Sequence, residues 1–386
     1  MIMQTMQPVI LHGCTTWDQE RLPVDEFGER LKAVQKIIRD NGLSGLIVYG
    51  DCRDYSKLCY LTNYIPRHSW GMVLVPACGS PCLLANVAGT RDLPFVRLLT
   101  WIEDIRPAKN AANEIKQFIK DMNDNPNNNA LEQTIGICGG EQMRHFLYKE
   151  IATECQQYNL KNVDMLIEPL LHRKRPREIT VIREATNLLK SAVDAMQVIY
   201  SKGGSVMSAV IEADRVARNL GAQDVRLLYS IDFGLNLRPI EALSEERNDP
   251  LIAYIAIEYL GYWVEAMVTL TQKQKSPAYN KASQLLDFYK TTVRSGVGIE
   301  QLVESSMEII KPFESHPVTQ GRFGHSIGLY LQEKPLFELS FGQSKIYEET
   351  IYTVHAGLTD NNKDHALLSA IILINQNGNE ILWSSV

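Results

Sequence analysis

The chain of 386 residues lacks any apolar run long enough to cross a membrane. Its longest runs, Leu251–Ile257 and Leu367–Ile374, have the length of strands, whereas a transmembrane helix needs about 20 apolar residues. The opening segment, MIMQTMQPVILHGC, also lacks the basic region and continuous apolar stretch of a secretory signal. We therefore expect a cytoplasmic protein with no membrane partner.

The sequence also lacks a polybasic block. Its 39 Lys and Arg residues are outnumbered by 45 Asp and Glu residues, which gives a formal net charge of -6. A general nucleic-acid-binding surface requires clustered positive charge. We therefore expect no nucleic-acid partner.

Cysteine is scarce, and the second half of the chain has none. All seven cysteines lie between Cys14 and Cys155, and an odd number clustered in one half of a large chain is typical of reduced thiols. Cys78 and Cys82 have no second pair at the spacing of a zinc finger. A disulfide framework and a zinc finger are therefore not expected.

The length of the chain predicts two domains, because 386 residues are more than a single hydrophobic core usually accommodates. Alternating helix and strand patterns predict an α/β domain over residues 1–165. A charged linker, 166–175, contains His172-Arg-Lys-Arg175. From Pro176 to Tyr200 the apolar spacing predicts a long amphipathic helix. The second domain, 176–386, then repeats the order helix, helix, strands twice.

Several segments carry motif-like patterns in a fixed order. They are LKAVQKIIRDNGLSGLIVYG (Leu31–Gly50), EPLLHRKRPREITVIREA (Glu168–Ala185), GYWVEAMVT (Gly261–Thr269), GHSIGL (Gly324–Leu329), QEKP (Gln332–Pro335) and IYTVHAGL (Ile351–Leu358). In this order they resemble the creatinase/aminopeptidase P family over nearly the whole chain. The resemblance implies an α/β N-terminal domain followed by an α+β C-terminal domain of the pita-bread (creatinase/aminopeptidase) fold.

The family's active peptidases hold two metal ions with two Asp, one His and two Glu side chains. The resemblance places Tyr254 and Glu265 at the Asp positions, His325 at the His position, and His355 and Ser369 at the Glu positions. Two divalent cations require more carboxylates than this set provides. An ordinary dinuclear aminopeptidase or prolidase is therefore disfavoured.

Glu265, His325 and His355 correspond to the family positions around one of the two metals. Two imidazoles and a carboxylate form the ligand set of a mononuclear Fe, Mn or Zn site. Such a site would suit hydrolysis of a C–N bond in an amino-acid-like or amidino substrate, or oxidative chemistry at Fe(II). The same side chains could instead act without a metal, as in creatinase, or line a catalytically retired binding site. The residues alone leave these alternatives open.

Further candidates follow from the same resemblance. Tyr254 would face the vacated second metal position, where it could donate a proton or simply fill the space. Glu333 remains from the family's E-x-P motif and could orient a catalytic group or cap a strand. The family's His before E-x-P is Gln332 here, and its other active-site His is replaced by the segment Arg238-Pro-Ile-Glu241. Arg238 and Ser369 are candidates for contacts with the substrate.

The resemblance also implies partners. Members of the family are commonly homodimers in which a loop of one N-terminal domain reaches the other subunit's active site. Arg53, Arg67 and His68 are candidates for that loop and for binding a substrate carboxylate, or they are ordinary surface charge. We therefore expect a homodimer with a small-molecule substrate and one divalent metal ion.

Overall fold

The computed structural model describes residues 15–87, 89–123, 134–230, 232–240, 249–338 and 344–386. The chain divides into two compact units, Met1–Leu171 and His172–Val386. Among the described residues, no helix is both long enough and apolar enough to cross a membrane.

The first unit is an α/β domain built on one six-stranded sheet with the order β4-β3-β2-β1-β5-β6. Its elements are α1 (Val24–Asp40), β1 (Gly45–Asp51), α2 (Ser56–Thr62), β2 (Trp70–Pro76), β3 (Cys82–Ala85), α3 (Leu93–Val96), β4 (Asp104–Pro107), α4 (Ala111–Asn123), β5 (Thr134–Cys138), α5 (His145–Glu154), β6 (Asn159–Asn162) and α6 (Asp164–His172). Phe27, Val34 and Ile38 recur at helical spacing on α1 and are fully buried. The six cysteines within the described ranges are all free thiols.

The segment predicted as a linker, 166–175, is mostly helical. Residues up to His172 belong to α6, and Arg175 precedes the next helix, whose first turn includes Pro176. Pro is favoured at this position because the first backbone N–H groups of a helix have no partner inside it. Only three residues, Arg173 to Arg175, therefore separate the two helices.

The second unit begins with the long helix that the sequence predicts. Its elements are α7 (Pro176–Ser201), α8 (Val206–Asn219), β7 (Asp224–Tyr229), β8 (Arg238–Pro239), β9 (Leu251–Tyr259), β10 (Tyr262–Leu270), α9 (Pro277–Thr292), α10 (Ile299–Ile310), β11 (Glu314–Ser315), β12 (Gly324–Ser326), β13 (Glu333–Leu336), β14 (Thr350–Thr359), β15 (His365–Asn375) and β16 (Gly378–Ser384). They form a four-stranded sheet, β10-β9-β7-β8, and a second sheet, β13-β12-β14-β15-β16, with β11 beside β14.

Side chains on one face of the second sheet form the main core of this unit. Tyr352, Val354, Ala356 and Leu358 of β14 pack with buried residues of α9 and α10. Successive side chains of a strand point to opposite faces. The odd-numbered residues of β14 therefore face away from the helices. A hydrogen bond also joins the two sheets of this unit. The backbone N–H of Met267 on β10 donates to Ser369 Oγ on β15 at 2.7 Å.

A buried ion pair joins the start of this unit to β13. Lys174 Nζ lies 2.6 Å from Glu333 Oε2, and the two side chains are only 1% and 5% exposed. A Cβ atom at Gly328 would collide with both of them. Gly328 in the GHSIGL segment is therefore required for this close approach.

Replacing Lys174 by Met should lower the free energy of unfolding by about 3–5 kcal/mol, because Glu333 would remain buried without its cation. The double replacement Lys174→Met with Glu333→Met should recover much of this loss. Urea unfolding of the single and double variants measures both effects.

The matched control is Lys311→Met, which removes an exposed pair with Glu308 and should change stability by less than about 1 kcal/mol. If the Lys174 and Lys311 variants were equally stable, the buried pair would not form in solution.

Candidate functional site

Strand register brings the candidate metal ligands onto facing strands of the second unit. Glu265 on β10 pairs with Ala256 on β9, and Tyr254 lies two residues from Ala256 on the same face. His325 on β12 pairs with Thr353 on β14. His355 lies two residues beyond Thr353, and therefore on the same face.

Glu265 lies at the centre of the resulting cluster. His355 Nε2 donates to Glu265 Oε1 at 2.7 Å, and the Tyr254 hydroxyl donates to Glu265 Oε2 at 2.7 Å. His325 Nε2 is 3.1 Å from Glu265 Oε1. One nitrogen of each His and one oxygen of Glu265 lie within 4.8 Å of one another, and all three residues are buried.

A hydrogen bond at Nδ1 of His325, the ring nitrogen that points away from Glu265, shows which of the two nitrogens carries a proton. His325 Nδ1 is 2.9 Å from the carbonyl oxygen of Ser326. A carbonyl oxygen can only accept, so Nδ1 carries a proton. His325 Nε2 lies 3.1 Å from Glu265 Oε1 and makes no hydrogen bond of good geometry to any described residue. When His325 is neutral, Nε2 carries a lone pair; when His325 is protonated, Nε2 pairs with the Glu265 carboxylate.

The charges of the cluster are strongly coupled. Burial raises the pKa of Glu265, but the charge of His325 and hydrogen bonds from the two imidazoles outweigh burial, and the net pKa is far below its usual range. Burial lowers the pKa of His325, but the Glu265 charge and hydrogen bonding outweigh it and raise the net value. Burial, followed by the Glu265 charge, raises the pKa of Tyr254 well above its usual value. Glu265 is therefore anionic and Tyr254 is neutral at neutral pH.

This donor set fits one divalent cation. A ligating His commonly donates its other ring N–H to a backbone carbonyl or a carboxylate, as His325 does to Ser326. Once deprotonated, His325 Nε2 would present a lone pair to a cation beside Glu265. Two imidazoles and one carboxylate suit Fe, Mn or Zn.

The hydroxyl of Ser369 is already used in a hydrogen bond between two strands. Its hydroxyl accepts from the backbone N–H of Met267 and its side chain is fully buried. Its backbone N–H donates to Ser385 Oγ at 3.0 Å. Ser369 therefore holds β10 and the C-terminal residues against β15.

Glu333 reaches the cluster only through an intervening residue. Its carboxylate binds Lys174, and Ser326 Oγ donates to Glu333 Oε2 at 3.3 Å. Ser326 is also the residue whose carbonyl accepts from His325 Nδ1. Glu333 is thus placed to position His325 and not to contact a substrate.

The other predicted substrate-binding residues lie elsewhere. Arg238 pairs with Tyr229, whereas Leu228, one residue earlier, pairs with Tyr254. The register therefore directs Arg238 to the opposite face of the sheet from Tyr254. Glu241, at the end of the same predicted segment, lies outside the described residues.

Three predicted residues belong to the first unit. Arg53 Nη2 donates to Asp51 Oδ2 at 2.8 Å and is exposed. Arg67 is half-buried, and His68 is exposed. Their role in binding a substrate carboxylate stays a prediction.

Sequence reasoning missed Thr353. Its side chain is fully buried, and its hydroxyl has no hydrogen-bond partner among the described residues. Its position beside His325 and its shared face with His355 place this hydroxyl at the edge of the cluster. The alternation Thr353-x-His355 in a strand was the signal that could have identified it.

Part of the chain matches a known protein family, and its fold is similar to that of several solved structures. Residues 30–170 match the family model described as the creatinase/prolidase N-terminal domain. No curated protein matches the chain.

Solved structures match nearly the whole chain. An Xaa-Pro dipeptidase from Bacillus anthracis is 16% identical with a TM-score of 0.71, and an X-Pro aminopeptidase from Thermotoga maritima is 17% identical with a TM-score of 0.72; each match covers 92% of this chain and 97% of the other. A prolidase from Pyrococcus horikoshii is 16% identical over the same shares, with a TM-score of 0.69. These likenesses confirm the predicted fold class, an α/β domain followed by a pita-bread domain.

Thr353→Val should make the metal-free protein more stable by about 1 kcal/mol, because it removes a buried hydroxyl that has no partner at almost constant volume. Urea unfolding after treatment with a chelator measures the change. The control is Thr359→Val, which removes a hydroxyl that is 2.9 Å from His365 Nδ1 and should destabilise. A loss of stability in Thr353→Val comparable to that control would show that the Thr353 hydroxyl is already hydrogen-bonded in solution.

Proposed function

We propose that the chain hydrolyses a C–N bond in a small amino-acid-like molecule, because residues 30–170 match the creatinase/prolidase N-terminal family model and the fold is similar to that of Xaa-Pro dipeptidases. One divalent metal ion would be held by Glu265, His325 and His355. The observation that carries the proposal is the buried cluster in which one nitrogen of each His and one oxygen of Glu265 lie within 4.8 Å of one another.

A metal ion bound there would polarise a substrate carbonyl and lower the pKa of a bound water. The chain's own residues prepare the site. Ser326 holds the proton of His325 on Nδ1, which leaves Nε2 directed at the cluster. His355 Nε2 would have to give up the proton that it now donates to Glu265, so metal binding should release protons.

The phenol of Tyr254 is the group of this site that would donate a hydrogen bond to a substrate. Its raised pKa keeps the phenol protonated at neutral pH, so it can donate a hydrogen bond and cannot act as a base. Among the four cluster residues, Tyr254 alone is partly exposed. We infer that a substrate approaches from the Tyr254 side and that the phenol donates to the reacting group.

The choice of hydrolysis over oxidation rests on the fold relatives, which are named as dipeptidases, prolidases and aminopeptidases. Xaa-Pro dipeptides are accordingly the first substrates to test, with amidino compounds next. The two-His, one-carboxylate set would also serve Fe(II) oxidation, and oxygen consumption by iron-loaded protein distinguishes that reaction from hydrolysis under anaerobic conditions.

A second candidate is a metal-free site that acts by acid–base chemistry or only binds. The observation that favours it is the hydrogen bonding of both Glu265 oxygens, by Tyr254 and His355, without any ion. Metal content separates this candidate from the first.

The protein should bind about one Fe, Mn or Zn ion per chain, and His355→Ala should weaken binding by more than about a hundredfold, because one of three protein ligands is lost. Elemental analysis and titration with each ion measure this. The matched control is His365→Gln, which replaces another buried histidine that is bonded to Thr359. No binding after anaerobic reconstitution with each ion, or equal binding by the two variants, would eliminate the metal site.

The cytoplasmic location and the homodimer remain proposals that rest on the sequence. Size-exclusion chromatography with light scattering tests the second.

A further inference from the structure

One arginine of the second unit lies in the same row of the sheet as Glu265. Arg226 on β7 pairs with Ala256 on β9, and Ala256 pairs with Glu265 on β10. Paired residues of neighbouring strands share a face, so Arg226, Ala256 and Glu265 all point to the side that carries Tyr254. Because neighbouring strands are about 4.8 Å apart, the backbones of Arg226 and Glu265 are about 10 Å apart.

The guanidinium of Arg226 is held over an aromatic ring. Its central carbon lies 4.3 Å from the centre of the Trp263 ring, and Trp263 is only 2% exposed. Stacking of this kind fixes the plane of a guanidinium and leaves its edges available for hydrogen bonds. Trp263 therefore positions the charged group on the face of the cluster.

The hydrogen-bonding capacity of Arg226 is only partly used. Its Nε donates to Asp224 Oδ2 at 3.2 Å, and no other hydrogen bond of this side chain is found in the described part of the chain. The Arg226 side chain is 54% exposed. Its two terminal nitrogens are thus available to solvent and to a ligand.

Tyr254, the partly exposed residue of the cluster, lies on the same face of the sheet as Arg226. Glu265, His325 and His355 are almost fully buried, whereas Tyr254 is partly exposed. Arg226 pairs with Ala256, which lies two residues from Tyr254 on β9. A molecule that reached Tyr254 from this face would therefore lie on the face that also carries the guanidinium.

We propose that Arg226 is a specificity-determining residue that binds a carboxylate of the substrate while the cluster acts on the C–N bond. The substrate class is thereby narrowed to small amino-acid-like molecules with a free carboxylate, for which the planar guanidinium provides two parallel N–H donors. This inference rests on the proposed function, because it concerns the substrate of the same site. Sequence reasoning selected Arg238 instead, and the strand register directs that side chain to the other face.

The probes are Ala-Pro and Ala-Pro amide, which differ by a single negative charge. Calorimetry on the protein as purified should show the free acid binding at least about tenfold more tightly than the amide, since a charge-assisted hydrogen bond corresponds to about ten- to a hundredfold in affinity. In Arg226→Gln this preference should fall to within about twofold. Arg226→Lys should restore part of it, because the charge returns without the two parallel donors.

The matched control is Arg238→Gln, which should keep the preference of the unaltered protein for the acid. Circular dichroism of each variant checks that it is folded. A preference that persists in Arg226→Gln, or a native protein that does not favour the acid, would overturn the inference. Because the readout is binding, a protein that favours the acid but hydrolyses neither probe would leave this inference standing and count against the proposed function alone.

Discussion

The buried carboxylate of Glu265 is the group on which the second unit's site depends. It accepts hydrogen bonds from Tyr254 and His355 and lies 3.1 Å from His325 Nε2. A buried carboxylate is costly unless it is paired, so these contacts are required for the fold as well as for any chemistry. The same contacts keep Glu265 anionic and keep the Tyr254 proton in place. A carboxylate and two imidazoles in their lone-pair forms would also suit a divalent cation, which is the basis of the proposed metal site.

Two further contacts hold the cluster in position. The buried pair of Lys174 and Glu333 supports Ser326, whose carbonyl fixes the proton of His325 on Nδ1. The Ser369 hydroxyl accepts from the backbone of β10, the strand that carries Glu265. These polar contacts fix the positions of His325 and of the strand that bears Glu265.

The resemblance to the creatinase/aminopeptidase P family was sufficient to select Glu265, His325 and His355, and these three residues meet in the structure. The long helix from Pro176 was equally predictable, because its apolar spacing is regular over seven turns. Contacts between distant strands were not predictable in this way. Arg238 was selected because its segment stands where the family has an active-site His. Sequence does not give the register of a short edge strand, and a shift of one residue reverses the face of a side chain. The hydroxyl of Thr353 depends on the pairing of β12 with β14, and the stacking of Arg226 on Trp263 depends on the pairing of β7, β9 and β10, so both could be recognised only in the structure.

X-ray absorption spectroscopy of the protein loaded with manganese or zinc tests the central claim most directly. The account predicts a first coordination shell of nitrogen and oxygen that includes two imidazoles, with no second metal nearby. Two-metal centres of hydrolases separate their ions by about 3.5–4 Å. A metal–metal distance in that range, or a shell without imidazole, would contradict a mononuclear site formed by Glu265, His325 and His355.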